Sequence, residues 1–244
     1  YLFCILAIGI PVMMAEVLIG RRGRQSPGNS VRALALEAKA STNWSIVGWV
    51  GVIAGFLILS FYAVIAGWSV SYIFEAGSGS FSGASPTDIQ NIFDDLQSNP
   101  SKLILWTTVV LAVTGIIVDK GLKNGLEKAV TIAMPTMLVL LLIIAGYAAF
   151  NGDFAKTLHF MFYPDFSKLT YSGVLIALGH AFFTLSLASG AMMIYGAYLP
   201  QKTSISQSVM AIAIADTLIA LIAGMAIYPI VFGNGLEATA GPGL

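Results

Sequence analysis

Two ionisable side chains lie deep inside apolar runs of this sequence. Asp216 stands about eight residues into the run 208–232, and His180 stands in the run 174–198. A carboxylate at such a depth in a bilayer costs about 3 kcal/mol, so it should bind a cation, take up a proton or pair with another group. A lone histidine on an apolar face is more often a hydrogen-bonded structural residue. We therefore predict a functional role for Asp216, with His180 as its nearest attractive partner if their helices touch.

Hydroxyls and a glycine interrupt the run that contains His180. The stretch 179–191 reads GHAFFTLSLASGA, and its centre holds Thr184, Ser186, Ser189 and Gly190. A membrane helix that unwinds at such residues frees carbonyls and hydroxyls that can ligate a cation, and the half-helix ends add their dipoles. Small residues also allow two helices to pack closely. Composition alone leaves both interpretations open.

The elements that position these residues are predicted to be membrane helices. Hydrophobic residues make up 57% of the 244 residues and charged residues only 10%, against about a quarter in soluble domains, and the mean hydropathy is +0.84. Long apolar runs without alternation indicate helices and exclude barrel strands. We predict an all-α, polytopic membrane protein, with one transmembrane domain over 1–244 and spans at 1–20, 45–74, 103–118, 129–150, 174–198 and 208–232.

The basic residues predict which face is cytoplasmic. Nine of the twelve fall in the loops after the first, third and fifth spans: Arg21, Arg22, Arg24, Arg32, Lys39, Lys120, Lys123, Lys128 and Lys202. Basic loops stay inside, so 76–101 is predicted to be an extracellular loop and both ends of the sequence to face outward. The sequence begins with Tyr inside an apolar run, which we interpret as a fragment of a longer protein.

Other features exclude some functions. The net charge is zero and no loop carries a base-reading or phosphate-binding motif, so no nucleic-acid partner is expected. Cys4 is the single cysteine, which excludes an internal disulfide and a zinc motif of several cysteines. Glu16 lies near the arginine-rich loop and is expected to have a structural role.

Gly125 and Pro135 could loosen the cytoplasmic end of the fourth span. Proline leaves the carbonyl of Thr131 without its helical partner, and a glycine weakens the same turns. The pair is either a gate that lets this end unravel or a static proline kink.

Five motifs, in order along the chain, resemble the neurotransmitter:sodium symporters in their bacterial amino-acid transporter branch. They are GIPVMMAEVLIGRRG (9–23), GLKNGLEKAVTIAMP (121–135), YPDFSKL (163–169), FFTLSLASGAMMIYGAYL (182–199) and AGMAIYPIVF (223–232). The resemblance implies a twelve-helix, inverted-repeat transporter of the leucine-transporter-like fold, in the inner membrane of a bacterial cell. The sequence would cover helices two to seven, and the sixth helix would be unwound at the hydroxyl-rich stretch.

The resemblance also implies roles for single residues. Thr184 and Asp216 would be ligands of a sodium ion. Tyr62 would bind the substrate carboxylate, and Phe183 would close over the substrate. The rest of the substrate pocket would be formed by Ile58, Ser186 and Ser189. Because Ser189 stands where some relatives carry a bulky aromatic, a large hydrophobic or aromatic amino acid is expected.

Tyr1, His180 and Asp216 occupy the places of the Tyr, Gln and Asn side chains that hold chloride in chloride-dependent members. A fixed carboxylate at Asp216 would supply the negative charge that chloride supplies elsewhere. The resemblance therefore implies that sodium is required, that chloride is not, and that there is no organic cofactor.

The predicted function is sodium-coupled import of an amino acid by alternating access. The partners would be the amino acid, sodium and the lipid bilayer. The alternative is an ion channel or a structural membrane subunit without concentrative transport. An enzyme is not expected, because no nucleophile or metal cluster accompanies His180 and Asp216.

Overall fold

A computed structural model describes residues 1–238, apart from the side chains of Pro86, Lys123 and Lys168. These residues form helices and turns without strands, which confirms the all-α prediction. We label the helices in chain order as α1 (Leu2–Gly23, π-helical over Ile5–Gly9), α2 (Pro27–Glu37), α3 (Ser45–Ser78), α4 (Pro86–Ser98), α5 (Pro100–Asp119), α6 (Lys128–Asn151), α7 (Phe154–Phe162), α8 (Tyr171–Thr184), α9 (Ala191–Tyr198) and α10 (Ile205–Gly233).

Five helical segments of the described chain are long and apolar enough to cross a membrane: Leu2–Gly23, Thr42–Ser78, Pro100–Asp119, Asn124–Asn151 and Ile205–Gly233. The range 174–198, which was predicted as one span, is shared by α8 and α9, with turns between them. Neither half reaches the roughly 20 residues that a complete span needs. The helices therefore agree with a multi-pass membrane protein in which one crossing is interrupted.

The described chain forms two compact units. The first joins the N-terminal segment Tyr1–Ala54 to everything from Met134 onward, and the second is Gly55–Ala133. In the first unit, α1, α8 and α10 share an apolar core in which Met13 and Val209 are fully buried and Leu185 is 2% exposed. This core supports the hydroxyl-rich stretch between α8 and α9.

Glycines bring α1 and α9 into backbone contact. A Cβ on Gly20 would lie 1.9 Å from the carbonyl oxygen of Met193, and one on Gly196 would lie 2.3 Å from that of Val17. Neither distance leaves room for even a methyl group. Small residues on both helices therefore determine how closely they cross, as in other membrane helix pairs.

In the second unit, a short helix lies inside the range predicted as an extracellular loop. Helix α4 begins with a capping box in which Ser85 and Asp88 exchange side-chain and backbone hydrogen bonds. Hydrogen bonds from the Ser85 hydroxyl, and then from its backbone N–H, lower the pKa of Asp88. The cap therefore stabilises α4 at neutral pH, and its contribution is lost as the pH falls through that lowered pKa.

We expect Gly20→Ala to destabilise the protein by about 1–3 kcal/mol, because the added methyl must push α9 away from α1. Thermal unfolding in detergent measures the effect. Gly146→Ala is the matched control, since a Cβ there has no neighbour within 4 Å. Equal unfolding temperatures for the two variants would show that the α1–α9 contact is not tight.

Candidate functional site

The interruption between α8 and α9 is a strained turn at Leu185–Gly190, which we call the break. Ser186 and Ala188 have left-handed backbones with φ of 54° and 59°, and Gly190 has φ of 75°. Left-handed geometry at a residue with a Cβ costs about 1–3 kcal/mol and persists only where surrounding contacts enforce it. The break is therefore held in shape by its neighbours.

Leucine side chains anchor the break in the core. Leu185 and Leu187 are 2% and 6% exposed, whereas Ser186 and Ala188, which alternate with them, are exposed. The N–H of Leu187 donates to the carbonyl of Phe182 at 2.9 Å. Burial of alternate residues thus leaves the hydroxyl of Ser186 on the accessible side.

Glu16 of α1 contacts the break directly. Its Oε1 accepts a hydrogen bond from the backbone N–H of Ala188 at 2.7 Å, and the residue is 6% exposed. Its Oε2 is buried without a hydrogen-bond partner among residues 1–238. The sequence indicated only a structural role for Glu16. Its isolation in an apolar run, the property that singled out Asp216, indicated that Glu16 needs a partner but not which partner it has.

Asp216 of α10 meets the end of α8. Its Oδ1 accepts the hydroxyl of Thr184 at 2.7 Å, and its Oδ2 accepts the hydroxyl of Tyr1 at 3.3 Å. No Lys, Arg or His nitrogen of the described chain lies within 4 Å of this half-buried carboxylate. The Thr184 oxygen gives its proton to Asp216 and keeps its lone pairs. A carboxylate and a hydroxyl oxygen are thus available together to a hard cation.

Tyr1 connects Asp216 to His180. The rings of Tyr1 and His180 are tilted against each other with centroids 5.1 Å apart. His180 and Asp216 form no ion pair in the described structure, and each contacts Tyr1 instead. The three residues predicted to stand around the anion place of relatives are therefore neighbours, with Tyr1 in the middle.

The residues predicted to bind substrate lie on three elements. Ser189 is at the break, where its hydroxyl donates to the carbonyl of Ser186 at 2.8 Å, and Phe183 is in the last turn of α8. Ile58 and Tyr62 lie one turn apart on α3, within the second unit. Their joint role in a pocket stays a prediction.

Gly125 and Pro135 stand in unbroken helical structure. Gly125 is in the π-helical turn Leu122–Glu127, and a Cβ there would lie 1.9 Å from the carbonyl oxygen of Ile117. Close packing is thus one reason for this glycine. Pro135 is inside α6, which continues past it. The proposed gate stays a prediction.

Comparison with known proteins identifies the family. The model of the sodium:neurotransmitter symporter family matches residues 81–239. An uncharacterized sodium-dependent transporter, YhdH, of Bacillus subtilis (strain 168) is 37% identical over 244 residues. Similar transporters of Haemophilus influenzae and Methanocaldococcus jannaschii are 33% and 29% identical over 251 and 237 residues.

Each match covers a larger share of this chain than of the relative. They include 100%, 100% and 93% of this chain, but 53%, 55% and 47% of the respective relatives. The chain therefore spans about half the length of the curated relatives it matches. The family and these relatives are transporters and not enzymes. The chain belongs to the sodium:neurotransmitter symporter family.

Proposed function

We propose that this chain forms part of a sodium-coupled symporter that imports an amino acid into a bacterial cell across its inner membrane. The observation that carries the proposal is the 2.7 Å contact between Thr184 and Asp216 beside the break. Sodium dependence is a property of the related proteins by their names. In this chain, the feature that would bind the sodium ion is the Asp216 carboxylate, which has no cationic partner in the described residues.

Sodium would bind between the C-terminal end of α8 and the interior of α10. Asp216 would contribute charge, and the Thr184 hydroxyl would contribute a lone pair while it donates to Asp216. Carbonyl groups at the C-terminal end of α8 carry the negative end of the helix dipole and favour a cation at the break. A site of this kind needs no cluster of three His, Cys, Asp or Glu residues, and the described chain has none.

The amino acid would bind next to the break. Tyr62 would donate to the substrate carboxylate, and Phe183 would cover the bound molecule. The substrate side chain would lie against Ile58, Ser186 and Ser189. A serine at 189 leaves more room than an aromatic side chain, so we propose a large hydrophobic or aromatic amino acid.

Chloride would not be required. Asp216 already supplies a negative charge beside the sodium place, and it accepts hydrogen bonds from both Tyr1 and Thr184. An added anion would be repelled by that charge. Tyr1, His180 and Asp216 would thus be the equivalent of the chloride site of relatives, with the Asp216 carboxylate in the role of the bound anion.

Transport would proceed by alternating access. Sodium and substrate would stabilise the break in its closed geometry, and the inner half of the helix with Gly125 and Pro135 would open to release them. The competing function is an ion channel or a structural subunit, which would not accumulate substrate against a gradient. Uptake driven only by a sodium gradient separates the two.

Proteoliposomes that contain the full-length protein should accumulate an aromatic amino acid when external sodium is present, and not when choline replaces it. Tyr62→Phe should weaken substrate binding by about 1–3 kcal/mol, because a substrate oxygen loses its donor. Sodium binding without substrate should be unchanged in this variant. Accumulation that persists in choline would exclude sodium coupling, and equal loss of both ligands in the variant would exclude the role of Tyr62.

Uptake by the parent protein should be the same in chloride and in gluconate, because Asp216 carries the compensating charge. Asp216→Asn should lower uptake in gluconate by about tenfold or more, since the sodium ion then lacks a nearby opposite charge. Chloride should restore part of the uptake by this variant. A parent protein that stops in gluconate would contradict chloride independence, and a variant that no anion rescues would limit Asp216 to sodium ligation.

Glu16→Ala should raise the sodium concentration needed for half-maximal uptake by about fivefold or more, because the Ala188 N–H loses its acceptor and the break loosens. Glu16→Gln is the matched control, since its amide oxygen can still accept that bond. Thermal unfolding in detergent tells whether Glu16→Ala is folded. A folded Glu16→Ala with the sodium dependence of the parent would show that Glu16 does not shape the break.

A further inference from the structure

A cavity lined by both apolar and charged side chains lies in the second unit, away from every residue assigned above. It has a volume of about 230 Å³ and lies between the end of α3, the helix α4 and the start of α5. Since a water molecule takes about 30 Å³ of liquid, the cavity has room for roughly seven waters or a small organic molecule. It is lined by Ser71, Tyr72, Glu75, Asn91, Ile92, Asp95, Leu96 and Lys102.

The charges that line the cavity do not cancel. Lys102 pairs with Asp95, with Nζ 2.6 Å from Oδ2. Glu75 is the second carboxylate, and within residues 1–238 it has no Lys, Arg or His nitrogen within 4 Å. Its Oε2 accepts the hydroxyl of Ser80 at 2.8 Å. One cation against two carboxylates leaves a net charge of −1, which favours a ligand of charge +1.

Ser71 provides an observation independent of these charges. It is 6% exposed, and it lines the cavity. Ser60 and Ser69 on the same helix donate to carbonyls four residues back, at 2.9 and 3.2 Å. The Ser71 hydroxyl makes no such bond, nor any other within the part of the chain that the structure describes. The hydroxyl is therefore available to a molecule bound in the cavity, which would supply its partner.

Aromatic and apolar groups form the rest of the wall. Tyr72 packs against Phe81 and Phe93, with ring centroids 5.6 and 6.4 Å apart. On the other side, Leu96 is 4% exposed and lies beside Ile92. An aromatic face next to a carboxylate attracts an organic ammonium group, while the two aliphatic side chains favour a short hydrocarbon body.

We propose that this cavity is a binding site for a small organic cation that carries one primary ammonium group and a short apolar body. The ammonium would lie between Glu75 and the ring of Tyr72 and donate to the Ser71 hydroxyl. A zwitterionic amino acid fits less well, because its carboxylate would face Glu75 or Asp95. The positive-inside prediction places this end of α3 on the extracellular side. The site is independent of the proposed transport site.

The test is calorimetric titration of the full-length protein in sodium-free detergent buffer with n-propylammonium. Binding should saturate in the millimolar range or below. Glu75→Gln should weaken it by about tenfold or more, because a charge-assisted hydrogen bond is lost, and Ser71→Ala by a smaller factor. Thermal unfolding verifies that each variant is folded.

Matched controls distinguish binding in this cavity from nonspecific attraction of the amine to the protein. Glu127→Gln makes the same change of charge in the same unit, outside the cavity, and should leave the affinity unchanged. Tyr62→Phe should also leave it unchanged, so failure of the proposed transport site and failure of this one are distinguishable. The uncharged isostere 1-propanol should not bind. Absence of saturable binding, equal binding of 1-propanol, or parent-like affinity in both Glu75→Gln and Ser71→Ala would overturn the proposal.

Discussion

The hydrogen bond from the Ala188 N–H to Glu16 supports the rest of the first unit, because a helix that stops inside a membrane must have its backbone groups satisfied by the protein. Ala188, whose N–H makes this bond, has a left-handed backbone. The carboxylate that accepts it comes from a different helix and is buried. This one hydrogen bond therefore offsets two costs: the backbone strain of the break and the desolvation of the Glu16 carboxylate.

The second carboxylate, Asp216, has a different arrangement. Its two oxygens accept hydroxyl protons from Thr184 and Tyr1, and neither donor carries a charge. Hydrogen bonds of this kind orient a carboxylate without neutralising it. The two acids thus serve the same break in different ways, since Glu16 binds its backbone and Asp216 leaves a negative charge beside it.

Much of this arrangement could be predicted from the sequence, and the physical reason differs from residue to residue. The membrane class follows from composition. Thr184, Ser186 and Gly190 in an otherwise apolar run left unwinding and close packing both open, and the resemblance to the symporters implied the unwinding. The contact of Glu16 with Ala188 could not be predicted, because it depends on how α1 crosses α9. Helical periodicity states which face a residue occupies and not which neighbour meets that face. The cavity between α3, α4 and α5 was also not predicted from the sequence, since its lining comes from three separate helices.

The crossing of α1 and α9 has a mechanical consequence. At Gly20 and Gly196 the two helices touch through their main chains, so no side chain can change rotamer to absorb a shift between them. Arg21, at the end of α1, also donates to the carbonyl of Thr203 beyond α9 at 2.7 Å. Main-chain contact therefore resists a displacement of α9 relative to α1. Because Glu16 of α1 also holds the Ala188 N–H, the same helix contacts both the break and the helix that follows it, so a movement of α1 would reach the break directly.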